Sequence, residues 1–234
     1  MVQCFRIDHP VLLVYLGGIA AGCRSAPGPV IPAGAQPVSE AEVSAWVASS
    51  VPAHHQLYRF KWLLRDERGS AGGRGSVRVA PPDSLRLDAA GPFGGGVASA
   101  VVVGEHPLWT DPPDAISRLV PNYPLMWAMF GIARMPPGGV ELRGLANGST
   151  RAWQYAGSTD TIEYARTIAG PGRLVAEVRQ AGQLIGRVET TLAPDETPLK
   201  ARLTVPSAPA QLDLTFLSTA RDSFAPDIWL SRRP

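Results

Sequence analysis

The side chains able to do chemistry are few and poorly spaced for it. His54 and His55 are neighbours, so their rings point different ways in a strand or a helix, and no Cys, Asp or Glu stands near them at a ligand spacing. The pair reads as a surface feature at a helix-to-strand turn; neither a metal site nor a cofactor is expected. Gly-x-Ser-x-Gly, Ser-x-x-Lys and His-Glu-x-x-His are all missing, so the common hydrolase signatures are absent from the sequence. Gly94-Gly95-Gly96 runs into valine rather than the Lys-Ser/Thr of a phosphate loop and reads as a flexible loop. Asp111, Asp114, Asp160 and Glu163 fall near turns without evident pairing. The chain is not expected to be an enzyme; an enzymatic reading requires His54, His55 and His106, or distant carboxylates, to converge in space.

One side chain does have a chemical context. Cys23 ends Ile19-Ala20-Ala21-Gly22-Cys23, a stretch that resembles a bacterial lipobox, where small residues admit the chain to a peptidase and the thiol takes a diacylglyceryl group. Ahead of it, the apolar run Val11 to Ala21 is well short of the ~20 residues a membrane-spanning helix needs and reads as the core of an export signal. Residues 1–22 are therefore expected to be a lipoprotein signal peptide, with a plain signal peptide or a buried apolar helix as the alternatives. Beyond Cys23 there is no second cysteine, which excludes a disulfide framework in the mature chain and leaves lipidation as a use for a lone exported thiol. Arg24 stands where an inner-membrane retention signal of enteric bacteria would carry Asp, which points to the periplasmic side of the outer membrane. Ser25 to Pro37 places four prolines in thirteen residues, so 23–37 reads as the lipidated cysteine and a semi-extended tether, or alternatively as an ordered edge segment.

Composition narrows the rest. The 234 residues suffice for a buried core, 45% are hydrophobic and 18% charged, and disorder or a coiled coil is excluded. Net charge is +2 and no basic run occurs, which argues against nucleic acid as a partner. Gly 24 and Pro 23 promise many turns and few long helices.

The elements that must position any site follow from periodicity. Ser39-Glu40-Ala41-Glu42 is a capping box, and Val43, Trp46 and Val47 share a helical face until Pro52. From there the period is two: Tyr58, Phe60, Trp62 and Leu64 alternate with mostly charged neighbours, as do Val77 and Val79, Leu85 and Leu87, and later Ile162 and Tyr164, Leu174 to Val178, Leu184 to Thr190, Leu199 to Val205 and Leu212 to Phe216 with mostly charged or polar ones. Hairpin-length connections such as Gln180 to Gln183 make the order antiparallel. The expectation is mainly β, about ten strands with one apolar face, which must curl over something or be covered. Asp114 to Leu119 offers a helical turn or two, and Pro124 to Ala133, apolar nearly all round, reads as a covering helix with the adaptable Met126 and Met129.

This order of parts resembles the LolA/LolB-like outer-membrane lipoprotein family. The resemblance rests on the lipobox at Cys23, the strand Leu57 to Trp62, the strand Pro82 to Asp88 running into Gly91-Pro92-Phe93-Gly94, the helix Pro124 to Ala133 with Pro136-Pro137-Gly138 behind it, and the closing Phe224 to Trp229. It covers roughly Val38 to Trp229, and the sequence departs from the pattern in its glycine run and in the segment after the helix. It implies a half-open antiparallel β-barrel covered by short helices over 38–234, whose apolar concave face holds acyl chains. It also implies a projecting loop whose apolar side chain, here Phe93, meets the membrane.

Physics reaches the same ligand class independently. At about 0.8 kcal/mol for each buried CH₂, a cavity lined by Tyr58, Phe60, Trp62, Leu85, Leu87, Trp127 and Phe130, with Met126 beside them, holds an acyl chain without any charge. The same residues serve equally well as a dry core. The function expected is a lipid-anchored periplasmic carrier or receptor that delivers lipoprotein acyl chains or other lipids to the outer membrane. Its partners would be the bilayer through Cys23, the cargo and a periplasmic carrier protein; the alternative is a non-catalytic envelope scaffold that binds a protein.

Overall fold

The computed structural model describes residues 29–230 apart from 93–96, 115, 118–119, 136–139 and 169. Thirteen strands form one sheet in which every neighbouring pair is antiparallel. In chain order they are β1 (Gln36–Val38), β2 (Gln56–Asp66), β3 (Gly69–Ala80), β4 (Ser84–Ala90), β5 (Val97–Val103), β6 (His106–Asp111), β7 (Glu141–Ala146), β8 (Thr150–Ala156), β9 (Asp160–Thr167), β10 (Gly172–Gln180), β11 (Gln183–Leu192), β12 (Pro198–Val205) and β13 (Ala210–Arg221). The spatial order is β1-β7-β8-β9-β10-β11-β12-β13-β2-β3-β4-β5-β6. Two meanders, β2–β6 and β7–β13, become one sheet because β13 pairs with β2 along almost its whole length. The edges β1 and β6 do not pair, so the barrel is half open, mainly β, and covered by short helices, as expected.

Two short helices cover the concave face. α1 (Glu40–Ser50) starts at Ser39, whose hydroxyl accepts the Glu42 amide at 3.3 Å, and buries Val43 and Val47. α2 (Tyr123–Ala128) has Pro124 in its first turn and is buried from Pro124 to Ala128. The covering helix is shorter than the apolar run predicted: Gly131, at φ +80°, turns the chain after one more turn, and 132–135 carries no regular secondary structure. Of the stretch 114–119, residues 115 and 118–119 lie outside the described residues; behind it the Val120 amide donates to the Ile116 carbonyl at 2.7 Å.

There are two further departures. The strand count rises from about ten to thirteen, and β5 is one of the strands without alternation: Val101 and Val102 point to opposite faces and both are fully buried. The segment expected to be a tether is not free over its described part. Gln36 and Pro37 belong to β1 on the sheet edge, where proline is tolerated, and Val30 packs with Ala152, Ala165 and Val175 on the outer face.

Candidate functional site

The concave face is built by period-two side chains from both meanders. Tyr58, Phe60, Leu85, Met126, Trp127 and Phe130 are buried in one continuous cluster, and Trp62 and Leu87, half-buried, pack against it. The eight residues singled out from the sequence are thus brought together. The rings of Tyr58, Phe60, Phe130 and Phe216 stand 5.9 to 6.4 Å apart, centroid to centroid, in tilted, edge-on and stacked arrangements.

The roof is tied down by polar bonds at one end of the barrel. Trp127 Nε1 donates to the Gly104 carbonyl at 2.8 Å, and the Arg134 guanidinium lies 5.0 Å from the Trp127 ring while donating to the Pro82 carbonyl. Thr190, wholly buried on β11, donates to the Ala128 carbonyl at 2.7 Å. Gly186 leaves room for α2, since a Cβ there would lie 2.7 Å from Leu125 Cδ1. α1 is joined to the same roof by Ser50, whose hydroxyl accepts the Ala133 amide at 3.0 Å.

At that end the interior meets solvent in a groove of about 740 Å³. Its walls include Ser50 and Pro52 after α1, Tyr58, Pro82, Phe130, and Asp195 in the β11–β12 turn. Burial pushes the Tyr58 hydroxyl up to about 12, with the Asp195 charge adding to it, so Tyr58 stays a neutral phenol. Asp195 accepts from the Thr197 hydroxyl and amide, which hold its carboxyl below the ordinary carboxylate range.

A second aromatic group beneath α1 was not singled out from the sequence. Trp46 and Trp153 have ring centroids 3.9 Å apart, Trp153 stacks on Tyr164 at 5.4 Å, and Tyr155 meets Tyr164 edge-on. Trp153 Nε1 and Tyr155 OH are buried there without a hydrogen-bond partner among the described residues, and burial raises the Tyr155 and Tyr164 hydroxyls above their ordinary value. Two orphaned donors in an apolar chamber are costly unless something else accepts from them. The signal was available: Ala152-Trp-Gln-Tyr155 alternates with period two.

The remaining expectations fall elsewhere. His54 and His55 lie between α1 and β2, with His55 stacked on Phe224 at 5.1 Å. Among the described residues no group of three His, Cys, Asp or Glu side chains stands close enough to hold a metal ion. Cys23 and Phe93 both lie outside the described residues.

No family model matches the sequence, and no curated protein matches it. Solved structures do match the fold. A LolA superfamily protein of Nitrosomonas europaea superposes with a TM-score of 0.54 at 9% identity, over 83% of this chain and 99% of that one. A putative outer membrane lipoprotein-sorting protein domain of Vibrio parahaemolyticus does so with a TM-score of 0.50 at 11% identity, over 81% and 95%. The fold is therefore LolA-like, and at these identities the likeness extends to architecture.

Proposed function

We propose that this chain is a non-enzymatic carrier or receptor of the bacterial envelope that takes lipoprotein acyl chains, or other lipids, into the concave face of its half-barrel and delivers them to the outer membrane. The carrying observation is an apolar interior under a separately tied roof, opening onto a groove of about 740 Å³, within the size range of ordinary ligand sites. Burial of methylenes supplies the affinity, at about 0.8 kcal/mol each. Tyr58 and Phe130 line the groove and also belong to the interior cluster, so they mark the entrance; Phe60, Trp62, Leu85, Leu87, Met126 and Trp127 form the walls behind them. In this reading residues 1–22 are a signal peptide, Cys23 carries the lipid anchor on the periplasmic side of the outer membrane, 38–234 is the binding domain, and Phe93 is the membrane-contacting side chain. A lipoprotein-sorting role is in keeping with the likeness in fold to the putative outer membrane lipoprotein-sorting protein domain of Vibrio parahaemolyticus.

A specific observation favours a second reading. Tyr58, Phe60, Phe130 and Phe216 pack on one another, as a dry core does, and a scaffold that binds a protein partner needs no more than that. Native mass spectrometry of the chain purified from a bacterial host separates the two. A released fatty acid, phospholipid or lipopeptide is the expected result, and a clean mass that persists after incubation with lipid selects the scaffold.

A further inference from the structure

The chain contains 22 basic residues but only two lysines, Lys61 and Lys200, and the fold brings both to one row on the outer face of the sheet. Reading across the strands, Arg173 faces Thr191, Thr191 faces Lys200, Lys200 faces Thr215, Thr215 faces Lys61 and Lys61 faces Arg74. With neighbouring strands ~4.8 Å apart, the two lysines flank Thr215 at roughly 10 Å from each other. They line an outer trench of about 710 Å³, together with Arg65, Arg173, Arg202, Glu189 and Asp213.

The arginines of the trench are already engaged and the lysines are not. Asp213 accepts from Arg65 at 2.6 Å and Arg202 at 2.7 Å, and Glu189 accepts from Arg173 and Arg187. Among the described residues, neither Lys61 nor Lys200 has a carboxylate partner or a hydrogen bond, and the same holds for Arg74 at the end of the row. Five cations against two carboxylates leave the trench an excess of three positive charges, more than the +2 of the whole chain. A merely solvated face would distribute its lysines; this one gathers both beside a hydroxyl.

We propose that the trench is a binding site for a phosphate group, held between the Lys61 and Lys200 ammoniums over the Thr215 hydroxyl, with the Arg–carboxylate pairs fixing its walls. Lysine suits this role because its ammonium is a compact point charge with three rotatable donors, while the threonine hydroxyl donates to a third phosphate oxygen. The charged side chains of the site are on the opposite face of the sheet from the acyl cavity, and Trp62 borders both. The phosphate comes either from an anionic phospholipid headgroup or from a free phosphate ion.

Having only two lysines makes the test direct. The full chain is acetylated with an amine-reactive ester, and the rates at Lys61 and Lys200 are read by peptide mass spectrometry, with the α-amine as internal reference. Probes are inorganic phosphate and dihexanoyl phosphatidylglycerol below its micelle concentration, each against sodium chloride of matched ionic strength. Both lysines are expected to be protected about tenfold at saturation, and Lys200→Gln is expected to weaken protection of Lys61 about tenfold while Lys200→Arg retains most of it. Protection by the lipid alone assigns a headgroup, and equal protection by inorganic phosphate assigns the free ion. No protection beyond sodium chloride by either probe, or protection of Lys61 unchanged in Lys200→Gln, overturns the proposal. Both lysines are exposed, so the variants leave the fold intact.

Discussion

The two faces of the sheet share the same strands and obey opposite physics. On the concave face, β2 presents Tyr58, Phe60 and Trp62, and stability comes from burial and close packing of rings. On the convex face the same strand presents Arg59, Lys61 and Arg65, and order comes from cross-strand charge pairs that sit largely in water. One patch of the convex face breaks this rule. Arg86, 1% exposed, is bound by Asp88, lies 5.2 Å from the Trp109 ring, and donates to the carbonyl of Ile228, while Trp109 Nε1 donates to the Trp229 carbonyl at 2.8 Å. There the C-terminal segment, with its 3-10 turn Pro226–Trp229, reaches the outer face, where Arg86 on β4 and its β5 partner Val101 are both buried. The lesson is that a charge pair matters here in proportion to what lies over it.

Substitutions on the two faces should therefore differ in size. The largest effect is expected inside: Trp127→Ala removes a ring only 1% exposed, together with its bond to Gly104, and should cost about 3 to 5 kcal/mol by denaturant unfolding. A loss below 1 kcal/mol would mean that the roof is not part of the cooperative core. Next comes the covered patch of the outer face. Arg86→Met leaves Asp88 with Arg78 and Ser99 alone, and a loss of roughly 2 kcal/mol is expected, with earlier proteolysis near Trp229.

The same patch has a pH signature. Burial works against the Asp88 carboxylate, but hydrogen bonds from Arg86 and Ser99 and the charges of Arg86 and Arg78 outweigh it and hold its carboxyl below its ordinary 3.8. A folded value lower than the unfolded one gives a contribution that is complete above the ordinary value and disappears as the pH falls through the folded value. Acid unfolding should thus steepen below pH 3.8 in the wild type, and that component should shrink in Arg86→Met, where only Ser99 and Arg78 still favour the carboxylate.

Tyr155→Phe tests the interior from the other side. Because its hydroxyl is an orphan, removing it should change stability by no more than about 1 kcal/mol, in the stabilising direction, whereas loss of a satisfied hydroxyl would destabilise. A destabilisation above that size would show that the hydroxyl has an acceptor in solution. The smallest effect belongs to the exposed pairs: Arg65→Ala leaves Asp213 paired with Arg202 and should shift stability by about 0.5 kcal/mol or less by thermal unfolding.

Much of this architecture was legible beforehand. The capping box at Ser39, the alternation of β2 and of β9 to β13, and the five strand residues Tyr58, Phe60, Trp62, Leu85 and Leu87 of the concave face all follow from local rules: a hydroxyl within reach of an amide three residues on, and side chains that change face at every residue. What local rules missed has a common cause. Val101 pairs with Arg86 and Trp109, the two outer-face residues that the C-terminal segment binds, and both Val101 and Arg86 are buried, so neither strand face carries the usual pattern. The helix after Pro124 ends early because Gly131 adopts a left-handed turn.

By itself the sequence determined the fold class, because one apolar face per strand, repeated over short antiparallel hairpins, leaves only a curled and covered sheet as a stable solution. It also determined the makeup of the concave face, because period two sorts side chains before any strand has a neighbour. Only the tertiary structure decided which strands meet across long separations. The pairing of β13 with β2 joins the meanders and sets Lys61 beside Thr215 and Lys200, residues more than 130 positions apart in the chain for which no local pattern encodes proximity. It alone decided, too, that Trp153 and Tyr155 lie under α1 with their polar atoms unmet, since satisfaction of a buried donor depends on every element packed around it.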